Sequence, residues 1–113
     1  MELEHRLVDG CAVVEIKEDR FEYPKTQVLK NYVLRLLEEG VQHVTLNLTN
    51  VQMLDSFGIA VFISILKACK KNGGNLTLFG LNTQVTHLME LTRMDRVLDI
   101  WESESQAVAH ARD

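Results

Sequence analysis

Leu54-Asp55-Ser56-Phe57-Gly58-Ile59-Ala60-Val61-Phe62 is the stretch on which the reading of this chain turns. Asp55 and Ser56 are both N-cap residue types, each offering a side-chain oxygen to the free N–H groups of a helix's first turn. Behind them Ile59, Phe62, Ile63, Leu66 and Cys69 recur at helical spacing and form one apolar stripe. The pattern predicts a helix from Asp55 or Ser56 to about Lys71, stopped at Asn72-Gly73-Gly74. Phe57, Ala60, Val61 and Ile65 fall outside the stripe. A small domain covers one stripe of a helix, not its whole circumference, so these residues are expected to leave an apolar patch open to a protein partner. Gly58 weakens a helix by about 1 kcal/mol relative to alanine. It serves either the approach of another chain beside Ser56 or close packing of the helix on a sheet.

Upstream of this stretch, Leu3 to Leu7 and Cys11 to Ile16 read as two strands, with Asp9-Gly10 between them as a hairpin turn. Lys17 to Glu22 is charged and irregular. Pro24 suits a helix start, and Val28, Tyr32 and Leu36, with Leu29, Val33 and Leu37, give an amphipathic helix from about Lys25 to Glu39. Gly40 is its expected stop. Val41 to Leu48 alternates as a strand, with Val44, Leu46 and Leu48 on one side and Thr45 and Asn47 on the other; the segment Val51 to Leu54 leads into the central helix.

Downstream, Leu76 to Phe79 is a strand ended by Gly80, and Asn82 or Thr83 caps a helix to about Leu91. Val97 to Ile100 reads as a short strand and Ser103 to about Ala111 as a last helix. The order β-β-α-β-α-β-α-β-α predicts an α/β fold: a mixed, mostly parallel sheet packed with about four helices.

The 113 residues fit one domain, taken as 1–113. Apolar residues are 46% and charged residues 25%, an ordinary globular balance. With 12 Lys+Arg against 16 Asp+Glu the formal charge is −4. That balance lacks the basic field that nucleic acid binding requires, so no nucleic acid partner is expected. The longest apolar run, Phe57 to Ile63, is far short of the roughly 18 residues of a membrane span. The acidic start Met-Glu-Leu-Glu-His lacks the pattern of a signal peptide. A cytoplasmic protein without a membrane partner is the expectation. Cys11 and Cys69 lie in apolar segments and read as buried reduced thiols.

Other chemistry finds little support. His5, His43, His87 and His110 are scattered and read as solvated, so no metal site is expected. No phosphate-binding loop of the G-x-x-x-x-G-K-[ST] type is present, and no cofactor is expected. Lys67, Lys70 and Lys71 gather where cations suit a helix C-terminus. Trp101 follows the last strand as a packing residue. Ser56 as an activated nucleophile would need a nearby base, and Asp55, adjacent at a helix start, points elsewhere. No catalysis is expected.

Val44 to Leu66 resembles the core of the STAS domain, the fold of bacterial anti-sigma factor antagonists. The residues that carry the likeness are Leu46-Asn47-Leu48, Val51, Met53-Leu54-Asp55-Ser56 and Gly58. Gly73-Gly74 before Leu76-Thr77-Leu78, then Leu88, Leu91 and Met94-Asp95-Arg96-Val97, continue it along nearly the whole chain. The resemblance implies that Ser56, directly after the aspartate, is a phosphorylation site. It implies an anti-sigma factor serine kinase as partner and phosphorylating enzyme, and a PP2C-type phosphatase that resets the switch. Unphosphorylated antagonist binds the kinase and frees the sigma factor for transcription; phosphorylation breaks the complex. The partner surface expected from the motif and the patch is Asp55, Phe57, Gly58, Ala60 and Val61. The alternative is a STAS scaffold or transporter-regulating module that is never phosphorylated. Two departures from the family pattern stand out. Phe57 replaces a small or hydroxylated residue, and Asp19-Arg20-Phe21-Glu22 replaces a Gly-x-Leu-Asp stretch that often contributes to the partner surface.

Overall fold

Residues 1–112 are described by a computed structural model. The chain opens with β1 (Glu2–Val8) and β2 (Cys11–Lys17), paired antiparallel around Asp9-Gly10. Both turn residues have positive φ, 50° and 80°, the conformation a two-residue hairpin needs to match strand twist. Next come β3 (Arg20–Phe21), α1 (Lys25–Glu38), β4 (His43–Asn47), β5 (Met53–Leu54), α2 (Ser56–Lys71) and β6 (Leu76–Phe79). The chain ends with α3 (Thr83–Leu91), a 3-10 turn (Met94–Arg96), β7 (Asp99–Trp101) and α4 (Glu104–Ala111).

Five strands form one sheet in the order β1-β2-β4-β6-β7, and all pairs after the hairpin are parallel. The expected mixed, mostly parallel α/β sheet with four helices is the observed one. Its parallel strands are laid down in one direction, so right-handed crossovers keep α1, α2 and α3 on one face. That face holds the larger core, where Val14, Ile16, Leu46, Leu78, Leu29, Val33, Phe62 and Ile65 are fully buried. On the opposite face α4 covers Cys11, Val13 and Phe79 with Ala107, Val108 and Ala111. The polar side of β4 therefore lies under a helix rather than in water. Its hydroxyls are satisfied by a short relay: Cys11 Sγ to Thr45 at 3.1 Å, Thr45 to Thr77 at 2.8 Å, and Thr77 donating to the Ala107 carbonyl at 2.8 Å. Both cysteines are buried and free, as read from their apolar settings.

Four expectations need correction. The charged stretch after β2 and the segment before α2 each contain a two-residue strand, β3 and β5, paired parallel as a separate ledge. Such short runs carry no periodicity; their pairing exists only because the fold brings them together. The last strand begins at Asp99, not Val97. Leu98 donates to the Met94 carbonyl at 2.7 Å, so Val97 and Leu98 finish the 3-10 turn despite their strand-like side chains, and Trp101 lies inside β7. The histidines are not uniformly solvated: His110 stacks on Trp101 with centroids 3.6 Å apart, and His43 is half-buried. The buried face of α2 also differs from the expected stripe. Gly58, Ile59, Val61, Phe62, Ile65 and Cys69 are inside, while Ile63 and Leu66 are only half-buried.

Candidate functional site

The turn from β5 into α2 places the residues singled out by the sequence. Asp55 is the N-cap, with extended backbone (φ −106°, ψ −178°), and Oδ1 accepts from the Gly58 N–H at 2.9 Å. Its second oxygen is occupied as well: Oδ2 accepts from the Tyr23 N–H at 3.1 Å. One carboxylate thus caps α2 and tethers the loop that joins β3 to α1. With both oxygens held by backbone donors, Asp55 is a structural anchor rather than a base for Ser56.

Ser56 is the first residue of α2 and is exposed. Beside it Phe57 is 54% exposed, although a large aromatic is ordinarily drawn inward. Its ring rests on Tyr23, with centroids 5.1 Å apart at 43°, and Tyr23 is itself 58% exposed. Ala60, one turn on, is exposed, and so is Met53 on β5. Arg20 donates to the Met53 sulfur at 3.2 Å and so steadies that side chain. The result is a hydroxyl at the positive end of a helix dipole, edged by an aromatic pair. No residue inside α2's first turn is acidic, and the Asp55 carboxylate at the N-cap, next to Ser56, is met by two backbone N–H donors.

Two of the expected partner residues are not on this surface. Val61 is 4% exposed and belongs to the larger core. Gly58 is buried: a Cβ built on it would lie 3.2 Å from Phe21 Cδ2, 3.3 Å from the Phe21 carbonyl oxygen and 3.4 Å from Leu54 Cβ. Of its two readings, close internal packing is the one observed, though against the β3–β5 ledge rather than the main sheet. Helix α2 buries a wider arc than one stripe because it is gripped from two sides, by the main core and by this ledge. Phe21, stacked on Phe62 at 5.6 Å and fully buried, fills the angle between them.

Tyr23 and Met53 were not legible as site residues. Neither sits in a periodic segment, and their approach to Ser56 depends on the Asp55 tether and on β3–β5 pairing. Met53, Leu54, Val85 and Leu88, with Gln52, Gln84 and His87, line a shallow groove of ≈ 250 Å³ between β5 and α3. Among the described residues no helix is long and apolar enough to cross a membrane, and no cluster of three potential metal ligands occurs.

Known proteins resemble this chain in sequence and in fold. The STAS domain family model matches residues 3–107. A Thermotoga maritima protein named as a candidate anti-sigma factor antagonist is 28% identical over 109 residues, 96% of each chain. The crystal structure of a Thermotoga maritima protein of the same description superimposes with a TM-score of 0.84, covering 98% of this chain and 95% of that one at 27% identity. The anti-sigma-B factor antagonist of Bacillus subtilis is 33% identical over 73 residues, 65% of this chain and 66% of its own. SpoIIAA in its unphosphorylated form shares the fold at a TM-score of 0.71, over 96% of both chains, with 8% identity.

Proposed function

The chain belongs to the STAS domain family, and on that footing we propose that it is an anti-sigma factor antagonist whose state is set at Ser56. With Ser56 unmodified it docks on an anti-sigma factor serine kinase and thereby releases a sigma factor for transcription. The kinase phosphorylates Ser56 and the complex dissociates; a PP2C-type phosphatase restores the hydroxyl. In this cycle the chain is ligand and substrate, and the chemistry belongs to its partners. Cytoplasmic action follows from the same reading, since a sigma factor works there.

The observation that carries the reading is the exposed Ser56 hydroxyl at the start of α2, edged by the outward-facing Phe57 and Tyr23. A serine held at a helix N-terminus is open to a kinase, and the phosphate it gains meets free backbone donors and a favourable dipole. The fold itself therefore tolerates the modification. The effect falls on the complex, where a dianion must be desolvated against a surface shaped for a hydroxyl and an aromatic pair. An unpaired charge of this kind costs roughly 2 to 5 kcal/mol, about 30-fold to several thousandfold in affinity.

The test combines modification with binding. Intact-mass and peptide analysis of protein recovered from its native cell should locate one phosphoryl group on Ser56. Titration calorimetry against the cognate kinase should rank unmodified protein and Ser56→Ala as tight and Ser56→Asp as weaker, with similar melting temperatures. Ser56→Asp binding as tightly as the unmodified chain would overturn the switch. No phosphate under any condition would favour the unphosphorylated scaffold instead.

A further inference from the structure

The free edge of the sheet is β1, seven residues long and paired on one side only. It carries no proline, and its register with β2 runs unbroken from Glu2↔Lys17 to Val8↔Cys11. Long regular edges invite pairing with another strand, and proteins that avoid this blunt them with like charges, proline or bulges. Here the side chains alternate as Glu2-Leu3-Glu4-His5-Arg6-Leu7-Val8, with charges of both signs, and Leu7 stands 67% exposed.

The hairpin fixes which backbone groups face outward. In a two-residue hairpin the closing pair, here Val8↔Cys11, exchanges hydrogen bonds, and such pairs alternate along the ladder. Val8, Arg6, Glu4 and Glu2 therefore direct their N–H and C=O groups at β2. Leu3, His5 and Leu7 direct theirs at the open edge, where they have no strand to meet.

The geometry points to a second copy of this chain as the occupant of that edge, paired antiparallel to β1 about a two-fold axis through His5. This register sets the outward groups of Leu3, His5 and Leu7 against the same groups of the second copy. Leu3 then lies opposite Leu7 and His5 opposite His5. On the other face Glu4 lies opposite Arg6, twice by symmetry. The strand is thus complementary to itself in backbone, in apolar contact and in charge, as a two-fold interface requires. Moving the axis to Glu4 or Arg6 would keep outward groups paired but set Glu4 against Glu4 or Arg6 against Arg6, like charge on like. Only an axis between two residues would set backbone groups that face β2 against the second copy. In the single chain Arg6 reaches Glu104 and Glu4 reaches Lys17 at 2.9 Å. Both pairs lie at the surface, where exchange of partners costs little, and the Arg6 fork has further donors to offer. His5, bonded to the Tyr32 hydroxyl, is kept beside α1. The interface shares no residue with the Ser56 surface, so each copy keeps its own switch exposed.

Sedimentation velocity of the whole chain from micromolar to millimolar concentration should show a species of twice 12.9 kDa that grows with concentration. Arg6→Glu should weaken dimerisation at least tenfold, and the double variant Glu4→Arg/Arg6→Glu should restore it. The register is read by single cysteines, since Cys11 and Cys69 are buried. Facing residues in this pairing have Cα atoms about 5.5 Å apart, within disulfide reach. Under mild oxidation His5→Cys should therefore form a covalent dimer, whereas Leu7→Cys alone should not, and Leu3→Cys mixed with Leu7→Cys should. A chain that stays monomeric throughout, a dimer indifferent to Arg6→Glu, or His5→Cys linking no faster than Leu7→Cys would each overturn the assignment.

Discussion

Phe57 and Val61 sit one helical turn apart and the sequence pattern offers both to a partner, yet only Phe57 reaches solvent. Their aspartate variants should behave oppositely. Val61→Asp places a carboxylate in the core and should lower stability by about 3 kcal/mol or more, seen in denaturant unfolding. Phe57→Asp loses only the contact with Tyr23 and should change stability by less than about 1 kcal/mol. Its cost should appear in kinase binding, at about 2 kcal/mol or more, roughly 30-fold in Kd. Gly58→Ala offers a second contrast. The usual gain from replacing a helical glycine is about 1 kcal/mol, but the new methyl presses on the Phe21 ring and carbonyl at 3.2 and 3.3 Å. With Phe21 fully buried against Phe62, the ring has little room to yield. The variant should be less stable than the parent by about 1 kcal/mol, and a rise in Tm would show that the ledge is looser than its packing indicates.

At the scale of elements, the Ser56 surface is assembled from α2, the β5 strand and the loop after β3, joined by Asp55. Asp55→Ala should cost about 1 to 2 kcal/mol as a lost N-cap. It should also free the loop, because the Tyr23 N–H loses its acceptor. Amide hydrogen exchange would then quicken at both Gly58 and Tyr23, with β6 unaffected. Protection retained at Tyr23 would mean that the aromatic contact with Phe57 holds the loop by itself. The family-pattern departure at 19–22 has its structural counterpart here. Phe21 contributes a fully buried ring to the ledge under Gly58, and Arg20 supports Met53 at the rim.

For the molecule as a whole, the two covered faces of the sheet leave a thiol buried on each side. Burial pushes Cys69 up to about 11 from the ordinary 9.0, and burial also raises Cys11, opposed by its hydrogen bond with Thr45. A folded-state value above the unfolded one means that the native chain holds the proton longer. Below pH 9 both states keep it and the contribution is intact; between 9 and about 11 the unfolded chain ionises first, and stability falls. Urea unfolding across that window should show the decline, and Cys69→Ala should flatten part of it. An equal slope in parent and variant would assign the decline to other groups. The same burial predicts slow alkylation of the native protein at pH 8 and fast alkylation once it unfolds.

Much of this was written locally in the chain. The Asp9-Gly10 hairpin, the amphipathic period of α1, the Asp55 cap and the order of strands and helices follow from spacing and turn chemistry, which act over a few residues. That Phe57 and Ala60 fall outside the apolar stripe of α2 was legible in the same way, though the same argument failed at Val61 and Ile65. The inward turn of Val61 and Gly58 was not, because a helical period tells how wide an apolar arc is but not how many surfaces grip it. Here the main core takes one side of α2 and the β3–β5 ledge another, and the ledge comprises two-residue strands with no pattern of their own. Tyr23 reaches Phe57 for a similar reason: a single carboxylate, Asp55, binds two backbone amides far apart in sequence. Contacts of that kind are decided only when the chain is folded, since no local interaction brings their ends together.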